Sequence, residues 1–499
     1  MITDDLEALM RQNFALSPTS EQETVLHMWC DFLLSRSTDD EVFLLSGYAG
    51  TGKTSLVAAL VKTMRQLQQP VMLMAPTGRA AKVFSLYADT PAYTIHRRIY
   101  RQKSLSEMDR FQQNVNLHRH MLFLVDEASM IANEGLSGSM FGTGRLLDDL
   151  IHYVYSGEGC RLMLVGDTAQ LPPVGEEESP ALCREVLEGY NLQVHEARLT
   201  QVVRQLDGSG ILWNATRLRQ LIDEYDIFEF PRLRLQDFPD IQVMPGSELI
   251  EALEDSYYQC GRDDTIIVTR TNRRANIFNQ GVRARILDYE EELSSGDYVM
   301  VAKNNYYWTE RNREPDTALS AGDGMGEKQE SMPFIANGDV AVVLRVSHER
   351  SFYGFRFADA TLRFPDYGNR EMDVTVLLDT LHSEAPALTR EQQEELFRQV
   401  WDDYPEIRSK RDRFKKIRED PYYNALQIKY AYAVTCHKAQ GGQWSRVFID
   451  QGYVTEEMLS PDYFRWLYTA LTRATERVYL INWPSSQVEG EDGSSDGYM

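Results

Sequence analysis

The sequence has no long apolar segment and few cysteines. Its apolar runs, such as Met121–Val125, are far shorter than the roughly 20 residues of a membrane-spanning helix. The five cysteines are scattered and form no CxxC pair, which predicts neither a disulfide framework nor a zinc site. Met1–Asp5 is acidic and lacks the basic and apolar regions of a signal peptide. We therefore expect a reduced, cytoplasmic protein.

Positive charge is also scarce. The chain has 52 Lys and Arg against 75 Asp and Glu, a net charge of −23, and taken alone this total argues against nucleic acid as a partner. Much of the acid lies in blocks, such as Glu176–Glu178 and Glu290–Glu292, so a local basic track is compatible with the total. The tail 484–499 is rich in Ser, Gly, Asp and Glu and is predicted to be disordered.

Short apolar runs alternate with helical patterns through the first 200 residues. This alternation predicts an α/β fold with a parallel sheet, whose ligands lie at the carboxyl ends of the strands. A second set of this kind begins near Leu199. The runs of the first set are Val42–Ser46, Val71–Ala75, Met121–Val125 and Arg161–Gly166, and those of the second set are Thr265–Thr269, Tyr430–Thr435, Val447–Asp450 and Val478–Asn482.

Residues 297–429 have a different composition. Short alternating segments between 297 and 380 predict a small β-barrel. The aromatic segment Asn304–Trp308 fits either the packing of that barrel or a DNA path, and we favour packing. A charged helix is predicted from Arg390 to about Arg418, opened by a capping box of Thr389 and Gln392.

A phosphate-binding loop follows the first predicted strand. Gly47–Thr54 matches GxxxxGK[ST] at every fixed position, between a strand-like run and a helical one. The glycines let backbone N–H groups wrap a phosphate at the start of a helix. Lys53 is predicted to contact the β- and γ-phosphates, and Thr54 to place its hydroxyl on Mg²⁺. The residues assigned to the nucleotide here are Gly47, Gly50, Thr51, Gly52, Lys53, Thr54 and Ser55.

Polar residues also follow the next two predicted strands of the first set. Met121–Val125 ends in Asp126 and Glu127. Asp126 suits the second Mg²⁺ contact, made through water, and Glu127 suits the residue that polarises the attacking water. In Gly166–Pro173 the amide of Gln170 can report whether a γ-phosphate is present.

These motifs together resemble those of superfamily 1 helicases. They are similar to the 5′→3′ branch, 1B, which includes RecD-like enzymes, phage Dda and the petite-integration-frequency helicases. The resemblance extends from Gln22 to Arg473 in the family's order. It implies two RecA-like P-loop NTPase lobes with a small β-barrel inserted in the second. The implied boundaries are lobe one at 1–198, lobe two at 199–296 and 430–483, the barrel with its charged helix at 297–429, and the tail at 484–499.

The resemblance also implies roles in the nucleotide site that the residues alone do not give. Gln22 corresponds to a glutamine that reads adenine, and Gln170 to the γ-phosphate sensor. Arg204 and Arg473 correspond to two arginine fingers, which neutralise charge on the transferring phosphoryl group. Gly441, in the Val434–Gly441 motif, is assigned to nucleotide binding.

A DNA track is implied in the same way. Its predicted contacts in lobe one are Pro76, Thr77, Gly78, Arg79 and His96, and in lobe two Thr271, Asn272, Thr435, His437 and Lys438. The family's pin, a hairpin that splits the duplex, would lie at about 99–118, with Phe111 able to stack on a base. Because this segment is a poor strand signal, a short helix or disorder remains open.

The function implied by the resemblance is ATP-dependent, 5′→3′ unwinding of DNA, with ATP hydrolysis at the lobe interface coupled to movement along single-stranded DNA. The expected cofactors are ATP and Mg²⁺. The expected partners are single-stranded DNA, junctions of single- and double-stranded DNA, and replication or repair proteins, with no membrane, for a monomeric motor. Three alternatives stay open: a translocase that displaces proteins, a RecD-like motor subunit of a recombination or nuclease complex, and a plain ATPase or nucleotide kinase.

Overall fold

The computed structural model describes residues 2–14, 16–37, 40–102, 111–134, 142–203, 208–224, 227–312 and 334–490. The chain forms two compact units, Met1–Gly246 with Ala439–Met499 and Ser247–Lys438. Among the described residues, no helix has both the length and the apolar content needed to cross a membrane. The lobe boundaries given above stay a prediction.

The first unit is built on a six-stranded parallel sheet in the order β3-β2-β6-β7-β1-β8. The four apolar runs predicted for the first α/β set correspond to β1, β2, β6 and β7, which confirms them. The elements up to residue 246 are α1 (Ile2–Asn13), α2 (Ser20–Leu34), β1 (Glu41–Gly47), α3 (Lys53–Gln66), β2 (Val71–Ala75), α4 (Gly78–Ala88), β3 (Ala92–Thr94), α5 (Ile95–Ile99), β4 (Tyr100–Gln102), β5 (Phe111–Gln113), β6 (Leu122–Val125), α6 (Leu146–Tyr155), β7 (Arg161–Gly166), α7 (Arg184–Glu188), β8 (Gln193–Leu199), α8 (Gly210–Asp223) and β9 (Ile241–Met244).

Strand β1 is buried along its whole length. Helices cover the central strands of a parallel sheet on both faces, so such strands read as nearly continuous apolar runs. The core around β1 includes the large side chains of Trp29, Phe32, Phe43 and Phe84. This packing fixes the carboxyl end of β1, where the phosphate loop begins.

The segment predicted as a pin contains an antiparallel pair of strands. Tyr100 lies opposite Gln113 in β4 and β5, so of the alternatives left open the hairpin is the one found. Its base is anchored on α6, where the Tyr100 hydroxyl donates to Asp149 Oδ2 at 2.6 Å and Gln113 Nε2 donates to the Asp149 carbonyl at 2.6 Å. Residues 103–110 lie outside the described residues.

The second unit contains the predicted barrel, closed by β11, β12, β13, β14 and β15. It also contains the parallel pair β10 and β16, so the predicted run Tyr430–Thr435 is divided between the barrel and this pair. The elements are α9 (Leu249–Cys260), β10 (Thr265–Thr269), α10 (Asn272–Arg285), β11 (Tyr298–Val301), α11 (Tyr307–Arg311), β12 (Val340–Phe352), β13 (Phe355–Phe364), β14 (Arg370–Leu377), α12 (Arg390–Asp402), α13 (Lys410–Arg418), β15 (Leu426–Tyr430), β16 (Ala433–Thr435) and α14 (Cys436–Ala439).

The aromatic segment Asn304–Trp308, which runs into α11, packs the barrel, as favoured above. The Trp308 side chain is buried, and its Nε1 donates to the Asn424 carbonyl at 2.9 Å. The ring centroid of Tyr306 lies 4.8 Å from that of Phe334. These contacts account for the unusual aromatic content without a DNA path.

The single charged helix predicted from Arg390 to about Arg418 is wrong, because two helices, α12 and α13, occupy this range. Pro405 lies between them; it has no N–H and disfavours helical geometry in the preceding residue. Ser409 then caps the second helix by accepting from Asp412 N at 3.3 Å. The predicted capping box of the first helix is confirmed, since Thr389 and Gln392 bond each other in both directions.

The rest of the first unit contains β17 (Trp444–Asp450), α15 (Pro461–Leu471) and β18 (Ala474–Ile481). Strand β18 runs parallel to both β17 and β9. The prediction that disorder begins at 484 is wrong for residues 484–490. Gln487 and Val488 are buried, and Val488 forms a parallel bridge with Leu233. The composition of the tail gave the wrong prediction because one apolar residue, Val488, anchors an otherwise polar segment. Residues 491–499 lie outside the described residues.

Candidate active site and nucleic-acid contacts

The phosphate loop joins β1 to α3. Gly50 and Gly52 have φ angles of 78° and 85°, in the left-handed region that side chains rarely adopt. Gly52 stands at the N-cap of α3 and gives no side-chain cap, so the first N–H groups of the helix are left for another acceptor. Such a helix start is suited to a phosphate.

Gln22 braces this loop from α2. Its side chain is 1% exposed, closes a capping box with Thr19 and donates from Nε2 to the Thr51 carbonyl at 3.0 Å. A Cβ on Gly52 would lie 2.5 Å from the same nitrogen, so glycine is required there for contact as well as for conformation. The adenine-reading role of Gln22 stays a prediction.

The ammonium group of Lys53 lies over the loop. Its Nζ donates to the Gly47 carbonyl and to the Tyr48 carbonyl at 2.8 Å. Thr54 and Ser55 are exposed on the first turn of α3. The loop therefore presents a positive charge and two hydroxyls beside free helical N–H groups, which is a cradle for phosphate oxygens.

Asp126 and Glu127 follow β6. Asp126 accepts from the Glu127 N–H at 2.9 Å and, on its other oxygen, from the Tyr87 hydroxyl. Burial raises the pKa of both carboxyl groups, and the positive charge of Arg473 opposes that shift at Glu127. The Thr54 hydroxyl and Asp126 carboxylate suit Mg²⁺, which is usually held by one or two carboxylates and substrate phosphates. When bound, Mg²⁺ neutralises charge on the β- and γ-phosphate oxygens.

The loop after β7 carries the predicted sensor. Gln170 is buried, and its Oε1 makes no hydrogen bond with any residue that the structure describes. A buried acceptor without a partner is costly. The unmatched oxygen supports a site that is completed by something else, although the sensor role itself stays a prediction.

Arg473 lies at the end of α15 and is 4% exposed. Its guanidinium donates to the carbonyls of Thr469 at 3.1 Å and Gly442 at 3.2 Å, and its charge acts on Glu127. A buried, oriented guanidinium close enough to influence this carboxylate suits charge neutralisation at the γ-phosphate. Arg204 lies outside the described residues, so its role stays a prediction.

Helix α15 also connects the two loops of the site, a feature that the sequence did not indicate. The Tyr468 hydroxyl donates to Asp167 Oδ2 at 2.6 Å and accepts from Ala49 N of the phosphate loop at 2.9 Å. The neighbouring Thr469 Oγ1 accepts from Leu171 N at 2.9 Å. One turn of α15 thus holds the phosphate loop and the sensor loop together, so a shift of this helix would move both.

Tyr87 is a second residue that sequence reasoning missed. It lies on α4, where its ring centroid is 5.2 Å from that of Phe84, and its hydroxyl holds one oxygen of Asp126. Tyr87 is therefore a positioning residue for the carboxylate that is predicted to bind Mg²⁺. No local sequence pattern marks Tyr87, because a tyrosine on an amphipathic helix is usually a residue of the hydrophobic core.

We predict that Tyr87→Phe raises the Mg²⁺ concentration needed for half-maximal ATP hydrolysis by about ten- to a hundredfold. The ring is retained, but the carboxylate loses a hydrogen bond, and such bonds to charged groups contribute about 1.5–3 kcal/mol. Titrating Mg²⁺ at saturating ATP measures the effect. Tyr155→Phe is the control, since it removes a tyrosine hydrogen bond to the Glu41 carbonyl. An unchanged Mg²⁺ titration for Tyr87→Phe would contradict the positioning role.

The predicted DNA contacts of the first unit gather at the start of α4. Pro76 precedes Thr77, which caps the helix by accepting from Ala80 N at 3.2 Å and so keeps its own hydroxyl proton for another acceptor. The N–H groups of Gly78 and Arg79 belong to the open first turn. This arrangement fits a backbone phosphate.

Two further residues lie against the same helix start. The Arg79 guanidinium lies 3.9 Å from the Trp444 ring centroid and donates to the Gln443 carbonyl at 3.1 Å, so this side chain is held by protein contacts. Gly441, assigned to the nucleotide, has a φ of 71°, and a Cβ there would lie 2.8 Å from Ala80 Cβ. Its nearest surroundings are thus the start of α4.

His96 lies on α5, in the predicted track. Burial lowers the pKa of His96 to about 4, so the ring is neutral near pH 7. A neutral imidazole can donate a hydrogen bond to DNA or accept one from it, but it adds no positive charge. The predicted pin residue Phe111 has its backbone in β5.

The second unit repeats the helix start seen at Thr77. Thr271 caps α10 by accepting from Arg274 N at 3.2 Å, and Asn272 begins the helix. Thr435 ends β16 directly opposite Thr269 of β10. Two neighbouring strands of this unit therefore end beside predicted DNA-binding hydroxyls.

Lys438, on α14 directly after β16, indicates that an anion binds near these strand ends. Burial lowers the pKa of Lys438 to about 8, and its Nζ has no hydrogen-bond partner among the described residues. The adjacent His437 is exposed. A buried cation without a partner is unfavourable, and a backbone phosphate would supply the missing charge.

Two family models match this chain in order. A model described as an AAA domain matches residues 33–221, and one described as a UvrD-like helicase C-terminal domain matches residues 430–481. The chain is 24% identical over 465 residues to the ATP-dependent RecD2 DNA helicase of Deinococcus radiodurans, covering 90% of this chain and 48% of that protein. In these matches the chain is similar to RecD-like helicases of superfamily 1.

Two other relatives of this chain are uncharacterized proteins. One from Methanocaldococcus jannaschii is 23% identical, covering 89% of this chain and 36% of that protein. One from Acanthamoeba polyphaga mimivirus is 22% identical, covering 88% of this chain and 94% of that protein. The chain thus spans less than half of two of these three relatives.

Solved structures of Pif1 helicases are also similar. The Bacteroides enzyme in complex with ADP-AlF3 and ssDNA has a TM-score of 0.45 at 16% identity, covering 95% of this chain and 94% of that one. The Candida albicans enzyme has a TM-score of 0.43 at 15% identity, covering 95% and 96%. At such scores the structural likeness alone decides nothing, so the assignment rests on the family models and the sequence relatives.

Proposed function

We propose that this chain is an ATP-dependent DNA helicase that moves 5′→3′ along single-stranded DNA. The observation that carries the proposal is the network in which α15 holds the phosphate loop through Tyr468 and the sensor loop through Thr469, with Arg473 placed to influence Glu127. A plain ATPase or nucleotide kinase has no need to join these loops through one helix. The 5′→3′ direction rests on the family assignment alone.

The proposed substrate is single-stranded DNA beside a duplex. Support comes from the open helix starts at Thr77 and Thr271 and from the Lys438 ammonium, which has no hydrogen-bond partner in the described part of the chain. The relative from Deinococcus radiodurans is named a DNA helicase. We further propose a cytoplasmic monomer that meets replication or repair proteins.

The deciding experiment measures ATP hydrolysis with and without single-stranded DNA, then unwinding of duplexes that carry a 5′ or a 3′ tail. We expect strong stimulation by DNA and unwinding of the 5′-tailed substrate only. A hydrolysis rate that is the same with and without DNA would contradict the proposed motor function and favour a plain ATPase. Stimulation without unwinding would instead leave a translocase, or a motor subunit that needs a partner complex.

A further inference from the structure

Helix α13 carries a concentration of positive charge that the nucleotide site does not use. Its sequence KRDRFKKIR has six basic residues and one acidic residue, a net charge of +5 over nine residues. The whole chain has a net charge of −23. A local excess of positive charge attracts anionic partners.

Four of these basic side chains lie on the exposed side of the helix, namely Lys410, Arg411, Lys415 and Lys416. None of the four forms an ion pair or a side-chain hydrogen bond within the part of the chain that the structure describes. On α12 the arginines are paired, with Arg390 bonding Glu394 at 2.8 Å and Arg398 bonding Glu395. Among the described residues, these four charges on α13 are thus not ion-paired, while the two arginines of α12 are.

The opposite side of α13 fixes the helix on the barrel. Ile417 is buried in a cluster with Leu396 and Val400 of α12 and with Phe357 of β13. The Phe414 ring centroid lies 5.5 Å from that of Phe397. These apolar contacts hold α13 against α12 and the barrel. The four charges therefore lie on a helix of fixed position.

We propose that the exposed basic face of α13 binds the sugar-phosphate backbone of double-stranded DNA. A nine-residue helix is about 13 Å long, which matches about four base pairs at 3.4 Å each. Phosphate contacts of this kind orient a duplex without reading its sequence. The inference rests on the proposed function, since a duplex lies ahead of the strand on which such a motor moves.

Duplex rather than single-stranded DNA is favoured by the aromatic side chains. Single-strand sites combine positive charge with flat side chains on which bases stack. In α13 the aromatic residue Phe414 packs against Phe397 and lies 5.0 Å, between ring centroids, from Trp401. Although the Phe414 side chain is 42% exposed, its ring already contacts those two rings, and α13 carries no other aromatic residue, which suits a partner whose bases are already paired.

The test compares two double variants of the full-length chain. Lys415→Gln with Lys416→Gln removes two charges from the exposed face of α13, and Arg390→Gln with Arg398→Gln removes two from α12. Binding to a blunt duplex is measured over a range of salt concentrations. We expect the α13 pair to reduce the log–log salt slope by about 1.8, because each lost contact to B-DNA contributes about 0.9, and to weaken binding several-fold at low salt.

The α12 pair should leave duplex binding nearly unchanged, and both variants should keep full stimulation of hydrolysis by single-stranded DNA. Equal effects of the two pairs, or no effect of the α13 pair, would overturn the inference. Unchanged duplex binding with loss of an acidic protein partner would also overturn it. If wild-type hydrolysis ignored single-stranded DNA, the proposed function would fail, while the duplex comparison would still report on α13.

Discussion

Replacing Lys53 with alanine is expected to reduce ATP hydrolysis by at least about 10²–10³-fold, the usual loss when one charge-stabilising donor is removed from an active site. In the structure the Lys53 ammonium lies over the phosphate loop, held by the carbonyls of Gly47 and Tyr48. Its removal takes away positive charge at the β- and γ-phosphates. The substitution should leave the fold intact, because the group lost is a partly exposed ammonium.

The measurement is the steady-state rate of phosphate release at saturating single-stranded DNA, with thermal unfolding to check the fold. Lys62→Ala is the matched control, because Lys62 lies on the same helix but is exposed away from the loop. Lys62→Ala should retain the wild-type rate. A folded Lys53→Ala protein with wild-type turnover would show that the phosphate loop is not the catalytic nucleotide site.

The parts of the fold that the sequence predicts are those with strong local signals. Strands β1, β2, β6 and β7 lie where continuous apolar runs place them, since buried parallel strands need apolar residues on both faces. The phosphate loop was predictable because Gly50 and Gly52 must adopt positive φ angles and Lys53 must follow at the helix start. The barrel could be predicted from segments in which apolar and polar residues alternate, because only one face of each barrel strand is buried.

The sequence also contains local signals that were missed, because the prediction for those segments followed their overall charge or composition. Pro405 and Ser409 mark the break between α12 and α13, yet the surrounding charge pattern reads as one helix. In the tail, Val488 forms a bridge with Leu233 that a polar composition does not suggest. In both cases one or two residues decide the structure of a segment whose average properties point elsewhere.

Contacts between distant residues could not be predicted. The hydroxyl of Tyr468 reaches Ala49 across 419 residues of sequence, and that of Tyr87 reaches Asp126 across 39. Each depends on how a helix packs beside a strand end, and no periodicity carries that information. The motifs gave the residues predicted to contact the nucleotide, but the residues that hold them in place emerge only from packing.

Arg473→Ala is expected to lower DNA-stimulated hydrolysis by about 10³–10⁵-fold, the range for arginine fingers in phosphoryl transfer. The guanidinium of Arg473 is buried, is oriented by the carbonyls of Thr469 and Gly442, and acts on Glu127. It can therefore neutralise charge that develops on the γ-phosphoryl oxygens. Single-stranded DNA affinity should persist, because Arg473 is not among the predicted DNA contacts.

A second variant separates catalysis from folding. Losing the hydrogen bonds of a buried arginine can cost about 1–3 kcal/mol of stability, so thermal unfolding is measured beside the rate. Arg473→Lys keeps the charge but loses the planar fork and should remain strongly impaired. Arg477→Gln, on β18, serves as the control and should retain the wild-type rate. If Arg473→Ala lost DNA affinity while keeping full DNA-stimulated hydrolysis, α15 would not complete the nucleotide site, and the coupling assigned to it would have to be abandoned.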